Sequence, residues 1–87
     1  MSEVIEVDFS VQWSTPVYVR TTEGFRETIS GPEDALDCMT KRWPAITKGP
    51  CYYAAKRECM AAIRKRASVS AARESFVSAG IEAGLLR

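Results

Sequence analysis

The stretch Val17-Tyr18-Val19-Arg20-Thr21-Thr22-Glu23-Gly24-Phe25-Arg26-Glu27-Thr28-Ile29 decides the fold, because it holds two strand-like runs joined by turn chemistry. Val17 to Arg20 is β-branched and aromatic, as strands prefer. Thr21 to Gly24 is a turn in which Gly24 is free to take positive φ. Phe25 to Ile29 alternates apolar and polar with period two, the pattern of a half-buried strand. A lone hairpin is marginal in water, so a further strand or a helical layer has to cover its apolar face.

That layer follows in sequence. Ser30-Gly31-Pro32-Glu33 matches a capping box with Ser30 as N-cap. The helix it starts puts Ala35, Leu36, Met39 and Trp43 on one face and Asp34, Asp37 and Lys41 on the other, and Pro44 stops it. Pro50 opens a second helix reaching about Arg66, with Tyr52, Ala55, Cys59 and Ile63 inward and Ala62 and Met60 flanking. Ser68 is the expected N-cap of a third helix from Val69 to Ala83, with a stripe of Val69, Ala72, Phe76, Ala79 and Ala83. Gly84 suits the left-handed position after it, with Leu85 folding back. The expected fold class is therefore α+β: a two- or three-stranded antiparallel sheet, hairpin first, packed against three C-terminal helices. Residues 1–87 read as one small domain, in which residues 1–13 are either an extra strand or an extended arm.

Composition narrows the functions. The chain has 87 residues, 46% hydrophobic and 26% charged, which suits one modest core. With no histidine, it lacks the commonest general base and the commonest transition-metal ligand. No apolar run approaches the roughly 20 residues that span a bilayer, and Glu3, Glu6 and Asp8 interrupt any export-signal pattern. Three cysteines, Cys38, Cys51 and Cys59, then read as reduced thiols of a cytoplasmic protein. Their spacing matches no zinc pattern, so neither a metal nor a cofactor is expected.

The ordered series Pro16-Val17-Tyr18-Val19, Ile29, Pro32-Glu33-Asp34-Ala35-Leu36, Trp43-Pro44, Gly49-Pro50, Tyr53-Ala54-Ala55, Cys59, Ala72-Arg73, Phe76, Ala79 and Ala83-Gly84-Leu85-Leu86 resembles the bacterial domain of unknown function 982 family. The resemblance covers almost everything after the first dozen residues. It implies an α+β fold and carries no assigned activity or site residues.

Charge is unevenly spread: residues 1–37 carry −6 and residues 38–87 carry +7. The two halves either attract each other, or mark a basic face for nucleic acid or an acidic face for a partner. Around a helix Arg57 and Arg64 nearly coincide, with Tyr53 beside them and Lys65 about 100° away. That is a candidate nucleic-acid or anion contact. The competing reading sets Arg64, Lys65 and Arg66 in a last helical turn, where cations complement the dipole. Trp43 reads as core, whereas Trp13, between polar neighbours, reads as core or interface. Cys59 reads as a buried thiol, and Cys51, near a helix start, as the better redox candidate. Glu33, Asp34 and Asp37 read as a solvated face; Ser68, Ser70, Ser75 and Ser78 have no base to activate them. No nucleophile–base pair emerges, so the expectation is a non-enzymatic accessory domain with an unknown protein partner or weak self-association. A nucleic-acid-binding regulator is the alternative, and no membrane partner is expected.

Val4, Ile5, Val7, Phe9, Val11 and Trp13 place six apolar residues within ten positions, with Val7, Phe9 and Trp13 the interface candidates. Such an arm adds a strand to a sheet edge in its own chain or in another. If the pairing is internal, sedimentation finds the full chain monomeric at high concentration, and a variant lacking residues 1–13 merely loses stability. A concentration-dependent dimer abolished by the truncation marks the intermolecular alternative.

Overall fold

The computed structural model describes residues 12–20, 26–44 and 47–86. Val17–Arg20 (β1) and Arg26–Ile29 (β2) pair antiparallel, with Val17 opposite Ile29, Tyr18 opposite Thr28, Val19 opposite Glu27 and Arg20 opposite Arg26. The two-residue period buries Val17, Val19 and Ile29 and leaves Tyr18 half exposed on the other face. Among the described residues the sheet has these two strands. Of the segment expected to form either a third strand or an arm, residues 1–11 lie outside the described residues. β1 gains a neighbour that the sequence did not suggest. The Arg20 N–H donates to the Leu85 carbonyl at 2.9 Å, and Leu86 bridges to Val19. The end of the chain thus returns to the hairpin.

Three helices follow: Pro32–Lys41 (α1), Pro50–Ile63 (α2) and Val69–Ala83 (α3). The start of α1 differs from the expected capping box. Proline at the first helical position loses nothing by lacking an N–H, so Pro32 takes that place and Gly31 becomes the N-cap. Ser30 is pushed one residue outside the helix, and the N-cap Gly31 makes no side-chain cap. Instead the Ser30 N–H donates to Asp34 Oδ2 at 3.2 Å. α1 also ends before Trp43, with Arg42 as C-cap. The Arg42 guanidinium pairs with Glu27 of β2 and Asp37 of α1, tying helix to hairpin.

α2 stops at Ile63, short of the expected Arg66, in a left-handed turn at Lys65 with φ 61°. It buries Tyr52, Ala55, Cys59 and Ala62, while Ile63 is half-buried and Met60 exposed. Its start is capped from 30 residues away: the N–H groups of Cys51 and Tyr52 donate to the Glu82 carboxylate of α3 at 3.4 and 3.3 Å. α3 follows its sequence more closely. The Ser68 hydroxyl accepts the Ala71 N–H at 2.9 Å, and Gly84 takes φ 74°. A Cβ on Gly80 would lie 2.8 Å from Leu86 Cγ, so glycine there lets the returning tail lie against α3.

The core gathers around Phe76, which is fully buried. Its ring centroid lies 5.8 Å from Trp13 and 5.7 Å from Trp43, and Trp43 lies 5.8 Å from Tyr52. Trp13, carried as an interface candidate, is thus a core residue, 7% exposed. Its backbone N–H donates to the Ser30 carbonyl just after β2 at 2.7 Å, and Arg73 Nε donates to the Thr15 carbonyl at 2.8 Å, anchoring this segment to the end of the hairpin and to α3. The Tyr52 hydroxyl donates to the Met39 carbonyl at 2.9 Å and so joins α1 to α2. Truncating Phe76 removes the ring that both tryptophans pack on. Phe76→Ala is expected to cost about 3–5 kcal/mol, a large part of the stability of so small a domain. In a thermal melt that loss lowers the midpoint by about 15 °C or more, and chelator leaves the wild-type midpoint unchanged. A variant melting with the wild type would show that the core is organised elsewhere.

Candidate functional site

α2 has two working faces. Tyr52, Ala55, Cys59 and Ala62 turn inward, and Tyr53, Lys56, Arg57, Met60, Ala61 and Arg64 form a second stripe at spacings of three and four. Residues at that spacing stack along one side of a helix. Together with Arg66 they line a shallow groove of about 430 Å³. Its apolar part is Ala61 with Tyr53 and Met60, which are 55% and 42% exposed. Its charged part is Lys56, Arg57, Arg64 and Arg66, and among the described residues no carboxylate lines it. Lys56 Nζ lies 5.6 Å from the Tyr52 ring centre.

The turn after α2 completes the groove. The Lys65 N–H donates to the Ala62 carbonyl at 3.0 Å and the Arg66 N–H to the Ala61 carbonyl at 2.8 Å. This is the paired-bond closure that usually employs glycine at the left-handed position. Lysine there costs on the order of 1 kcal/mol in backbone strain, and the reversal returns Arg66 to the side of Ala61 and Arg64. Of the three basic residues expected to act together, the structure brings Arg57 and Arg64 into one groove with Tyr53. Lys65 forms the turn and is not among the lining residues. Lys56 and Arg66 are the residues that sequence reasoning passed over. The stripe spacing was enough to find Lys56; Arg66 depends on the left-handed turn. Arg64, Lys65 and Arg66 lie at and just beyond the C-cap of α2 rather than in its last turn, as the dipole reading had placed them.

The opposite charges sit elsewhere. Glu33, Asp34 and Asp37 lie on the exposed face of α1, as expected. Lys41 and Arg42 pair with Asp37, and the Lys41 hydrogen bond is the main reason that the Asp37 carboxyl lies below its ordinary pKa. No ion pair among the described residues joins the α1 acids to the groove cations.

The cysteines have separate surroundings. Burial pushes the Cys59 thiol up to about 12 and the Cys38 thiol up to about 11. Cys51, expected to gain thiolate character from the start of α2, is instead shifted upward, by desolvation and then by the Glu82 charge. The carboxylate that caps α2 has taken the place a thiolate would occupy. Among the described residues no three potential ligands from His, Cys, Asp and Glu converge on a metal-sized site.

Comparison with known proteins fits this architecture. The family model described as a protein of unknown function, DUF982, matches residues 15–87. The chain belongs to the DUF982 family. Its fold is similar to that of the Agrobacterium tumefaciens protein Atu1219, solved by NMR, with a TM-score of 0.75 and 26% identity. The alignment covers 100% of this chain and 86% of that one. No curated protein matches. The DUF982 assignment agrees with the resemblance read from the sequence and brings no activity with it. No helix among the described residues is long and apolar enough to cross a membrane.

The thiol environments predict an order of reactivity. In native protein Cys51 is alkylated first, and Cys38 and Cys59 react only as the chain opens; all three are free in denaturant. The raised thiols also fix a sign. The unfolded chain loses these protons near the ordinary value of 9.0, whereas the folded chain holds them to about 11 and 12. Their contribution to stability is therefore present below about pH 9 and lost as pH rises through that window. Chemical denaturation between pH 8 and 11 is expected to show a shallower fall for Cys59→Ala than for wild type. Equal slopes would refute the assignment.

Proposed function

We propose that this protein is a cytoplasmic, non-enzymatic binding module that docks an acidic segment of a partner protein in the α2 groove. The observation that carries the proposal is the meeting of four cations with half-exposed Tyr53 and Met60 in one concavity. Cations alone would suit any polyanion. An aromatic ring, a methionine and an alanine between them also offer contact to an apolar side chain, the combination an acidic peptide with an apolar anchor satisfies. The left-handed Lys65 supports the reading. Strained backbone persists where something needs it, and here it returns Arg66 to the groove.

The test uses fluorescent peptides of alternating Glu and Asp around a central Leu or Phe, with single-stranded and duplex DNA alongside. The peptide with an apolar anchor is expected to bind more tightly than an all-acidic one, and Arg57→Glu with Arg64→Glu to weaken it at least tenfold. A nucleic-acid regulator would instead retard DNA in a gel and release it steeply as salt rises. That outcome, or indifference to both the anchor and the charge reversals, defeats the proposal.

A further inference from the structure

A second basic site lies on the hairpin, apart from the α2 groove. The antiparallel register sets Arg20 directly opposite Arg26 on the face away from the core, beside Tyr18. Like charges facing each other across a ladder destabilise it. Among the described residues neither guanidinium has an ion-pair partner. Arg20 Nε is moreover buried without a hydrogen-bond acceptor. A buried donor left unpaired is costly, and for a charged group more so. Tyr18, Val19, Arg20 and Arg26 line a cavity of about 230 Å³. That is several times the roughly 30 Å³ share of a water molecule and below the range of drug-sized pockets.

We propose that this cavity is a binding site for a small oxyanion, a phosphate or carboxylate group, held between Arg20 and Arg26. Such a group repairs both defects at once. It neutralises the facing charges and supplies the acceptor that Arg20 lacks. Guanidinium groups suit it by geometry, since their N–H donors match the oxygens of carboxylate and phosphate in pairs. The Tyr18 ring beside them bounds a site too small for a folded partner.

The experiment titrates the full chain with inorganic phosphate, with acetate and, at matched ionic strength, with chloride. Resonances of the arginine Nε–H groups are followed by NMR, and melting points are read in parallel. Saturable shifts of Arg20 and Arg26 in phosphate or acetate, absent in chloride, support the site. The stronger of the two anions identifies whether the natural group is a phosphate or a carboxylate. Arg26→Thr, on an exposed strand position, is expected to melt above wild type without added anion and to lose the phosphate-dependent rise in melting point. Arg57→Glu with Arg64→Glu is expected to keep that rise, so this site and the α2 groove fail separately. The proposal is overturned if chloride acts as well as phosphate, if the shifts centre on Arg57 and Arg64, or if Arg26→Thr retains the full rise. Melting of Arg26→Thr below wild type without added anion also overturns it, because the facing charges would then not be a defect.

Discussion

Packing around the Phe76 ring constrains the rest of the molecule, because segments distant in the chain meet there. Trp13 comes from the segment before β1, Trp43 from the turn after α1, and Tyr52 joins through Trp43 from the first turn of α2. Each large ring buries far more area than an aliphatic side chain, which matters in a chain too short for a deep core. The remaining core is filled by small residues. Ala35, Ala55, Cys59, Ala72 and Ala79 are fully buried, which lets the helices approach closely around the rings. The arrangement has a cost. The indole nitrogens of Trp13 and Trp43 are buried without acceptors, as tightly packed aromatics leave little room for polar partners.

Because the core is small, much of the architecture is held by polar contacts between distant parts of the chain. Glu82 of α3 caps α2, Arg42 after α1 reaches Glu27 of β2, and Arg73 of α3 holds the Thr15 carbonyl. The Arg20–Leu85 bond attaches the end of the chain to the hairpin. One of these contacts pairs opposite charges, and the others join a charged side chain to backbone or backbone to backbone. Two basic regions remain unmatched among the described residues, the outer face of α2 and the outer face of the hairpin. Both proposed sites thus lie where the fold does not use its own cations. The two regions differ in character, since the groove is open and partly apolar whereas the hairpin cavity is small and flanked by two facing arginines.

Much of this fold was legible in the residues. The strands at Val17–Arg20 and Arg26–Ile29 follow from period two, and the buried stripes of α2 and α3 follow from spacings of three and four. Ser68 and Gly84 worked as local punctuation because their bonds reach only three or four residues. Ser30 did not, because Pro32 competed for the same helix start and moved the N-cap to Gly31. The groove was half legible. Tyr53, Arg57 and Arg64 share a helical face wherever that helix lies, but Arg66 joins them only through the left-handed turn at Lys65.

The sequence by itself determined which segments are helix or strand and which face of each is apolar, since those properties arise from neighbours a few residues apart. It could not decide whether Trp13 is core or interface, because that depends on Phe76, 63 positions later in the chain. Nor could it show that the start of α2 is occupied by Glu82, which reversed the expected direction of the Cys51 thiol. The pairing of Arg20 with Arg26 was likewise invisible, because a shift of one residue in register would have set different side chains opposite each other. Local periodicity is written in the chain, whereas register, capping across helices and the meeting of distant rings exist only once the elements pack.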